Sequence, residues 1–204
     1  MRNVIIILLV SLVATSTLAR DSAEVKAFEK RIAELEERVT KLESSTAPAV
    51  AKVRAEQTVH TQRMKARERI RKDASVYSLD ELREIESLYQ ANRDGNKQKR
   101  RDSLKQLVEK FDKANRAGCA LLYLGQMSKG KEREDYLQKA IDGFSDCYYG
   151  DGVQVGAYAR YYLAYYYKEN GQKKKAEALF KEIRSKYPDA INHNGQPLAA
   201  LIEK

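Results

Sequence analysis

The sequence is poor in the residues on which metal and redox chemistry depend. Its 204 residues include two cysteines, two histidines, three prolines and no tryptophan. The cysteines are too far apart to form a C-x-x-C motif, and neither His60 nor His193 has a second ligand one helical turn away, so zinc has little support. We therefore expect neither a metal nor a cofactor.

Other catalytic signatures are missing as well. Gly150, Gly152 and Gly156 imitate a glycine-rich phosphate loop, but no strand precedes them and their spacing is wrong, so a turn between helices is the better interpretation. Carboxylates are plentiful, yet none lies in an apolar context that would raise its pKa for acid-base work. The sequence thus favours a protein that is not an enzyme, although distant residues could still assemble a site.

The remaining composition describes one modest domain with appendages. Hydrophobic residues make up 43% of the chain and charged residues 33%, and the formal net charge is +9. This composition can form a core with much exposed helical surface. The positive charge admits nucleic acid, anionic lipid or an acidic polymer as partners, and its distribution along the chain must decide among them.

Residues 1–19 resemble an export signal. Arg2 provides the positive start, Val4 to Ala14 form an apolar run broken only by Ser11, and Thr17-Leu18-Ala19 places small residues at a cleavage site. We expect export to the periplasm or secretion, with cleavage after Ala19. The alternative is an uncleaved membrane anchor, which the shortness of the run disfavours, since a span needs roughly 20 apolar residues.

Residues 20–46 carry a heptad pattern. The apolar positions alternate three and four residues apart, which is typical of a coiled coil: Val25, Phe28, Ile32, Leu35, Val39 and Leu42. We expect a homo-oligomer, a dimer or a trimer; β-branched residues at the a positions lean towards a dimer. The alternative is an amphipathic helix that lies on the chain's own globular domain.

Residues 47–78 are predicted to be a linker followed by a basic helix. Small residues and Pro48, in the stretch 44–49, are expected to end the coiled-coil helix. Residues 51–75 then contain eight basic and three acidic side chains, more than half of the net charge. This segment is expected to be a mostly solvated spacer or a surface that docks on a partner.

Residues 79–204 are predicted to fold as helix hairpins, which makes the chain all-α. No proline occurs between Leu79 and Pro188, and the glycines fall at junctions between apolar-periodic stretches. The expected hairpins are 79–93 with 97–112, 115–128 with 133–148, and 153–169 with 172–186, followed by a short closing helix at 197–203. About three extra residues are expected in the turn 128–134.

The third hairpin resembles a tetratricopeptide repeat, with small residues, a spaced aromatic and a closing proline: Leu163, Ala164, Tyr167, Gly171, Ala176, Phe180, Ile183 and Pro188. The second hairpin repeats part of the pattern with Leu124, Gly125, Ala140 and Phe144, and the first is degenerate. The resemblance implies a small α-solenoid that binds protein segments in a concave groove lined by the first helix of each hairpin.

The order of signal, coiled coil, linker and repeats is similar to that of the bacterial periplasmic family of cell-division coordinators that work with the Tol-Pal system. That resemblance implies a trimerising helix and repeats that bind envelope proteins. The chain departs from the family in its short coiled coil, its dimer-leaning core and its prominent basic spacer.

The groove of such a solenoid would be lined by one exposed stripe from each first helix. On the third hairpin the stripe is rich in tyrosine, whose flat ring and polar tip make it a good anchor for a protein segment. The predicted groove residues are Arg83, Glu86, Gln90 and Arg93; Leu122, Gln126 and Lys129; and Tyr158, Tyr161, Tyr165 and Lys168. We expect an acidic or amphipathic segment as the ligand. The alternative is that the rings pack against the second hairpin.

Cys119 and Cys147 lie at opposite ends of two antiparallel helices, so the second hairpin can bring them together. After export a disulfide could form between them. By closing this loop it would stabilise the folded protein by roughly 3 to 4 kcal/mol. Two small buried thiols are the alternative.

Two functions follow. The first is an exported, non-catalytic scaffold or adaptor that self-associates and presents a repeat groove to envelope proteins or peptide segments. The second is a basic protein that docks on anionic lipid or cell-wall polymer through residues 51–75. Nucleic acid is the least supported partner, because export would separate it from the chain.

Overall fold

The computed structural model describes residues 22–202, and the predicted signal lies outside them. Within this range the fold is all-helical, with no strand, and it comprises seven α-helices: α1 (Ser22–Asp73), α2 (Leu79–Gln90), α3 (Lys97–Lys110), α4 (Asn115–Met127), α5 (Gly130–Gly143), α6 (Val155–Glu169) and α7 (Lys173–Lys186). Short 3-10 helices follow α2, at Ala91–Arg93, and end the described chain, at Leu198–Leu201.

Helix α1 continues through the segment that was expected to end it. Pro48 lies inside this 52-residue helix. Proline has no backbone N–H, so one carbonyl of the preceding turn loses its hydrogen bond within the helix. Just before it, the hydroxyl groups of Ser44, Ser45 and Thr46 donate to the carbonyls of Lys41 and Leu42, at 2.8 to 2.9 Å. These small polar residues bond within the helix instead of breaking it.

The chain divides into two compact units, residues 1–51 and 52–204. The described part of the first unit is helix alone, and its six predicted seam residues are all exposed, from 41% for Ile32 to 65% for Phe28. A single helix has no apolar core, so this apolar stripe stays exposed to solvent in one copy of the chain. Among the described residues, no helix is long and apolar enough to cross a membrane.

The second unit is built from three helix hairpins: α2 with α3, α4 with α5, and α6 with α7. Each hairpin packs on the next through its second helix, and the first helices α2, α4 and α6 also contact one another in series. The largest fully buried side chains of the unit come from all three hairpins: Leu104, Leu107, Phe111, Leu121, Leu122, Leu124, Leu137, Leu163 and Ile183.

Small residues set the close contacts between these helices. Ala140, Ala164 and Ala176 are buried. A Cβ atom on Gly125 would come within 2.8 Å of the Leu137 side chain, so α4 and α5 approach at a distance that only glycine permits. Helix α7 ends at Lys186, shortly before Pro188. The three extra residues that were expected in the turn 128–134 lie in α5 instead, because this helix begins at Gly130 and not at residue 133.

Residues 52–73 of α1 pack against the start of α4, the connection between the second and third hairpins, and the segment after α7. Gln62 donates to the carbonyl of Asp189, beyond α7, at 2.9 Å. Arg69 binds Asp146, beyond α5, at 3.0 Å. Asp73 accepts at 2.8 Å from the backbone N–H of Asn115, which begins α4. The segment is therefore an integral part of the second unit, whereas the sequence suggested a solvated spacer.

Candidate protein-binding groove

The tyrosine stripe of α6 forms one continuous set of ring contacts. Tyr158 and Tyr161 stack with ring centroids 6.0 Å apart, and Tyr161 meets Tyr165 at 4.8 Å. All three side chains are half-buried. A row of partly exposed, mutually packed phenols presents a rigid apolar surface with polar edges, because each ring limits the rotation of the next.

The two ends of this row also support the fold. The Tyr158 ring packs edge-on against His193 at 5.3 Å. Tyr165 packs against Phe180 at 5.2 Å, and its hydroxyl donates to the carbonyl of Leu201 at 3.1 Å. Tyr161, at the middle of the row, packs against Tyr158, Tyr162 and Tyr165.

A pocket of about 300 Å³ lies beside the row, between α6 and the second hairpin. Four tyrosines from two turns of α6 form one wall, and α4 and α5 form the other. The lining residues are Gly125, Gln126, Arg133, Leu137, Tyr161, Tyr162, Tyr165, Tyr166 and Glu169. Of the predicted groove residues, the structure therefore brings together Gln126, Tyr161 and Tyr165.

Arg133 brings positive charge to the pocket and was not among the predicted groove residues. Its guanidinium carbon lies 6.0 Å from the Tyr166 ring centroid, and its Nε donates to the carbonyl of Ser128 at 3.0 Å. Lys168 lies 5.6 Å from the Tyr165 ring centroid. Cations held over tyrosine faces keep their charge near the apolar surface. Glu169 is the acidic side chain in the pocket lining.

The predicted residues of the first hairpin are largely engaged with their own neighbours. Arg83 pairs with Asp80 at 2.9 Å. Glu86 pairs with Arg116 at 2.9 Å and also accepts from the Gln90 amide. Arg93 lies in the 3-10 helix after α2 and is exposed.

Two predicted residues of the second hairpin lie at different depths. Leu122 is fully buried and offers no surface to a partner, because its side chain belongs to the core. Lys129 is exposed at the turn before α5.

A second pocket, of about 480 Å³, was not foreseen. It lies where α1 meets the connections after α5 and α7, and Glu56, His60, Arg63, Asp151 and His193 are among its lining residues. His193 Nδ1 lies 2.7 Å from Asp151 Oδ2. Burial acts to raise the pKa of Asp151, but the bond to His193 prevails and leaves the pKa below its usual value. Nothing in the sequence separates these two residues from ordinary loop residues.

Cys119 and Cys147 are buried free thiols in the structure, and their disulfide stays a prediction for the exported protein. Each sulfur has its own neighbour: the Cys119 thiol faces the Tyr148 carbonyl at 3.5 Å, and Arg69 donates to Cys147 Sγ at 3.5 Å. Burial raises the pKa of Cys147 to about 12 and that of Cys119 further. A raised pKa leaves little of the nucleophilic thiolate at neutral pH.

In the part of the chain that the structure describes, no group of three or more histidine, cysteine or acidic side chains could hold a metal ion. Comparison of the chain with protein-family models, curated proteins and solved structures finds no match. Its function must therefore be argued from its own residues.

Proposed function

We propose that the protein is a non-catalytic adaptor with two parts. Residues 22–51 join copies of the chain, and the tetratricopeptide-like hairpins of the second unit bind a segment of a partner protein. The proposal keeps the exported setting that residues 1–19 suggest, and with it a partner in the cell envelope. A role in envelope or cell-division coordination rests on the resemblance alone.

The observation that carries the proposal is the tyrosine-walled pocket between α6 and the second hairpin. A pocket of about 300 Å³ is large enough for one bulky side chain and too small for most cofactors. Tyrosines supply large contact areas with little loss of side-chain entropy, which is why they are common at the centres of interfaces. The pocket suits the anchor residue of a peptide.

The charges around the pocket suggest what flanks that anchor. Arg133 lines the pocket and takes part in no ion pair within the described residues, and Glu169 is the one carboxylate of the lining. A cation without an ionic partner beside an apolar pocket favours a carboxylate on the ligand. The expected ligand is a segment with an apolar or aromatic anchor next to acidic residues.

Self-association is supported by the charges beside the apolar seam. In a parallel pair, Arg31 of one copy faces Glu36 of the other, and Arg38 faces Glu43, although Glu24 faces Glu29. In an antiparallel pair the arginines would face arginines and the glutamates would face glutamates. Parallel pairing is therefore the expected arrangement.

Site-specific photocrosslinking in cells tests the groove. A photoreactive phenylalanine analogue at position 161 should give a covalent adduct with one discrete protein, and the same analogue at position 181, an exposed site on α7, should not. The chain should start no later than Lys52, since a start at Leu79 would remove the packing of Gln62, Arg69 and Asp73. Equal adducts at both positions would refute a specific groove.

Substitution of the central ring gives the matching measurement. Tyr161→Ala should lower capture of that protein about tenfold or more, as for a hot-spot residue, while the melting temperature changes little. Tyr136→Ala removes another half-buried tyrosine outside the pocket and serves as the control. Similar losses of capture in both variants would contradict a role for the pocket.

A further inference from the structure

A second interaction surface lies on α1, within the second unit and apart from the groove. Residues 52–73 carry most of the chain's excess positive charge, and the structure divides their basic side chains into two groups. Arg69 faces inward, where it binds Asp73 at 2.7 Å and Asp146 at 3.0 Å. Lys72 pairs with Glu68 at 3.7 Å. These two cations are already occupied.

Three exposed arginines form a row along α1. Arg63, Arg67 and Arg71 follow one another every four residues, so they share one side of the helix at intervals of roughly 6 Å. None of the three takes part in an ion pair within residues 22–202. Asp151 lies near the Arg63 end, but His193 holds its carboxylate. The row is therefore an uncompensated strip of positive charge.

Apolar side chains are interleaved with the arginines. Met64 is 43% exposed and Ile70 is 36% exposed, and both lie on the same side of α1 as the row, since Met64 is three residues before Arg67 and Ile70 three after it. Glu68, three residues before Arg71, borders this side of the helix and pairs with Lys72 at 3.7 Å. Exposed apolar groups among cations are unfavourable in water and favourable at the boundary between headgroups and acyl chains.

We propose that this face, formed by Arg63, Met64, Arg67, Ile70 and Arg71, docks on a membrane surface rich in anionic phospholipid. The arginines pair with headgroup phosphates, bidentately where the geometry allows. Met64 and Ile70 enter the shallow apolar boundary. A dissolved polyanion would satisfy the arginines but leave the apolar side chains in water, and the face has no aromatic ring on which a nucleic-acid base could stack.

Vesicle co-sedimentation with residues 20–204 tests the proposal. The chain should bind vesicles of phosphatidylcholine with phosphatidylglycerol and should not bind vesicles of phosphatidylcholine alone. Arg63→Gln/Arg67→Gln/Arg71→Gln should weaken binding on the order of one hundredfold, because each basic residue at an anionic surface contributes about fivefold. The matched control is Arg54→Gln/Lys65→Gln/Lys72→Gln, which removes the same charge from the other exposed side of the helix and should weaken binding far less.

Met64→Ser/Ile70→Ser tests the apolar contribution with the charge unchanged. This variant should bind normally at low salt and lose more affinity than the unaltered chain as salt rises, because salt screens only the electrostatic part. Circular dichroism melting confirms that each variant is folded, as expected for exposed positions.

Four results would overturn the proposal: no binding by the unaltered chain, equal binding to both vesicle types, equal losses in the two charge variants, or an arginine-triple effect that is larger on short duplex DNA than on vesicles. The third would mean that net charge governs binding, and the fourth would assign the row to nucleic acid.

Discussion

At the scale of single residues, glycine decides how closely the hairpins approach. A Cβ atom on Gly156, in the first turn of α6, would lie 2.6 Å from Ser145 Cα, and one on Gly118 would lie 2.8 Å from Cys147 Cβ. Real Cβ atoms do not come so near, and the backbone at Ser145 cannot rotate away as a flexible side chain would. The connection between α5 and α6 is thus packed against the start of α6 at Ser145 and against α4 at Cys147.

Gly156→Ala should destabilise the protein by roughly 1 to 3 kcal/mol, the usual cost of forcing extra volume into a packed site. Gly143→Ala is the control, since nothing lies within 4 Å of a Cβ atom at that helical position. It should be neutral or stabilising, because alanine favours helix more than glycine does. Urea denaturation measures both, and an equal change in the two variants would contradict the close packing inferred for Gly156.

The sequence could indicate these glycines but not their partners. Gly125 was predicted as a signature small residue, and it does lie against Leu137. Gly156 falls in the predicted helix 153–169, and it lies in the first turn of α6. A one-dimensional pattern cannot show which backbone will approach a glycine, because that neighbour is fixed only when the hairpins pack. The same limit hid Arg133 and the pair of His193 and Asp151.

At the scale of elements, the contacts of residues 52–73 are mostly polar. Arg69 binds Asp73 within α1 and links this helix to two other places, through Asp146 and the carbonyl of Lys113. The Asp73 carboxylate accepts the N–H at the start of α4, where no side chain of α4 itself provides a cap. A carboxylate at that position stabilises the helix through both the hydrogen bond and the helix dipole.

Arg69→Met keeps the apolar stem but leaves Asp73 without its cation, so it should cost about 2 to 4 kcal/mol of unfolding free energy, near the range for breaking a buried ion pair. Arg67→Met, on the exposed side, should change stability by less than about 0.5 kcal/mol. Chemical denaturation of the two variants compares them. Equal small effects would mean that this part of α1 is only loosely attached.

Helix positions were largely predictable because breakers lie at the junctions. Gly95, Gly150, Gly152, Gly171 and Pro188 lie outside the hairpin helices, and α2, α3, α4, α6 and α7 begin within two residues of their predicted starts. The docked face of α1 was not predictable. Its inward residues include Gln62, Ala66, Arg69 and Asp73, which carry the right helical spacing but too little hydrophobicity to register as a buried stripe.

At the scale of the whole molecule, the proposed adaptor separates association from recognition. The first unit offers an apolar seam with no core beneath it, and the second has a complete core of its own. An adaptor of this type gains avidity when two copies each carry a binding unit, without any new contact at either groove.

Ile32→Lys places a charge in the middle of the seam and should abolish self-association in sedimentation velocity experiments, because the buried a position does not accommodate an unpaired ammonium group. Glu37→Lys introduces the same side chain outside the seam and should preserve the oligomer. Both variants should keep the thermal transition of the second unit. An oligomer that survives Ile32→Lys would place the interface elsewhere.

The contact between Gln62 and Asp189 joins residues 127 positions apart, while each hairpin is held by neighbours in the chain. Local contacts form first, since their loops are short, and distant ones wait for the chain to close. Residues 52–73 are therefore among the first of the second unit to be synthesised, and the contact of Gln62 is among the last to form. Until Asp189 arrives, the inward face around Gln62 is open to other molecules, so a chaperone would meet this part of α1 before the folded body does.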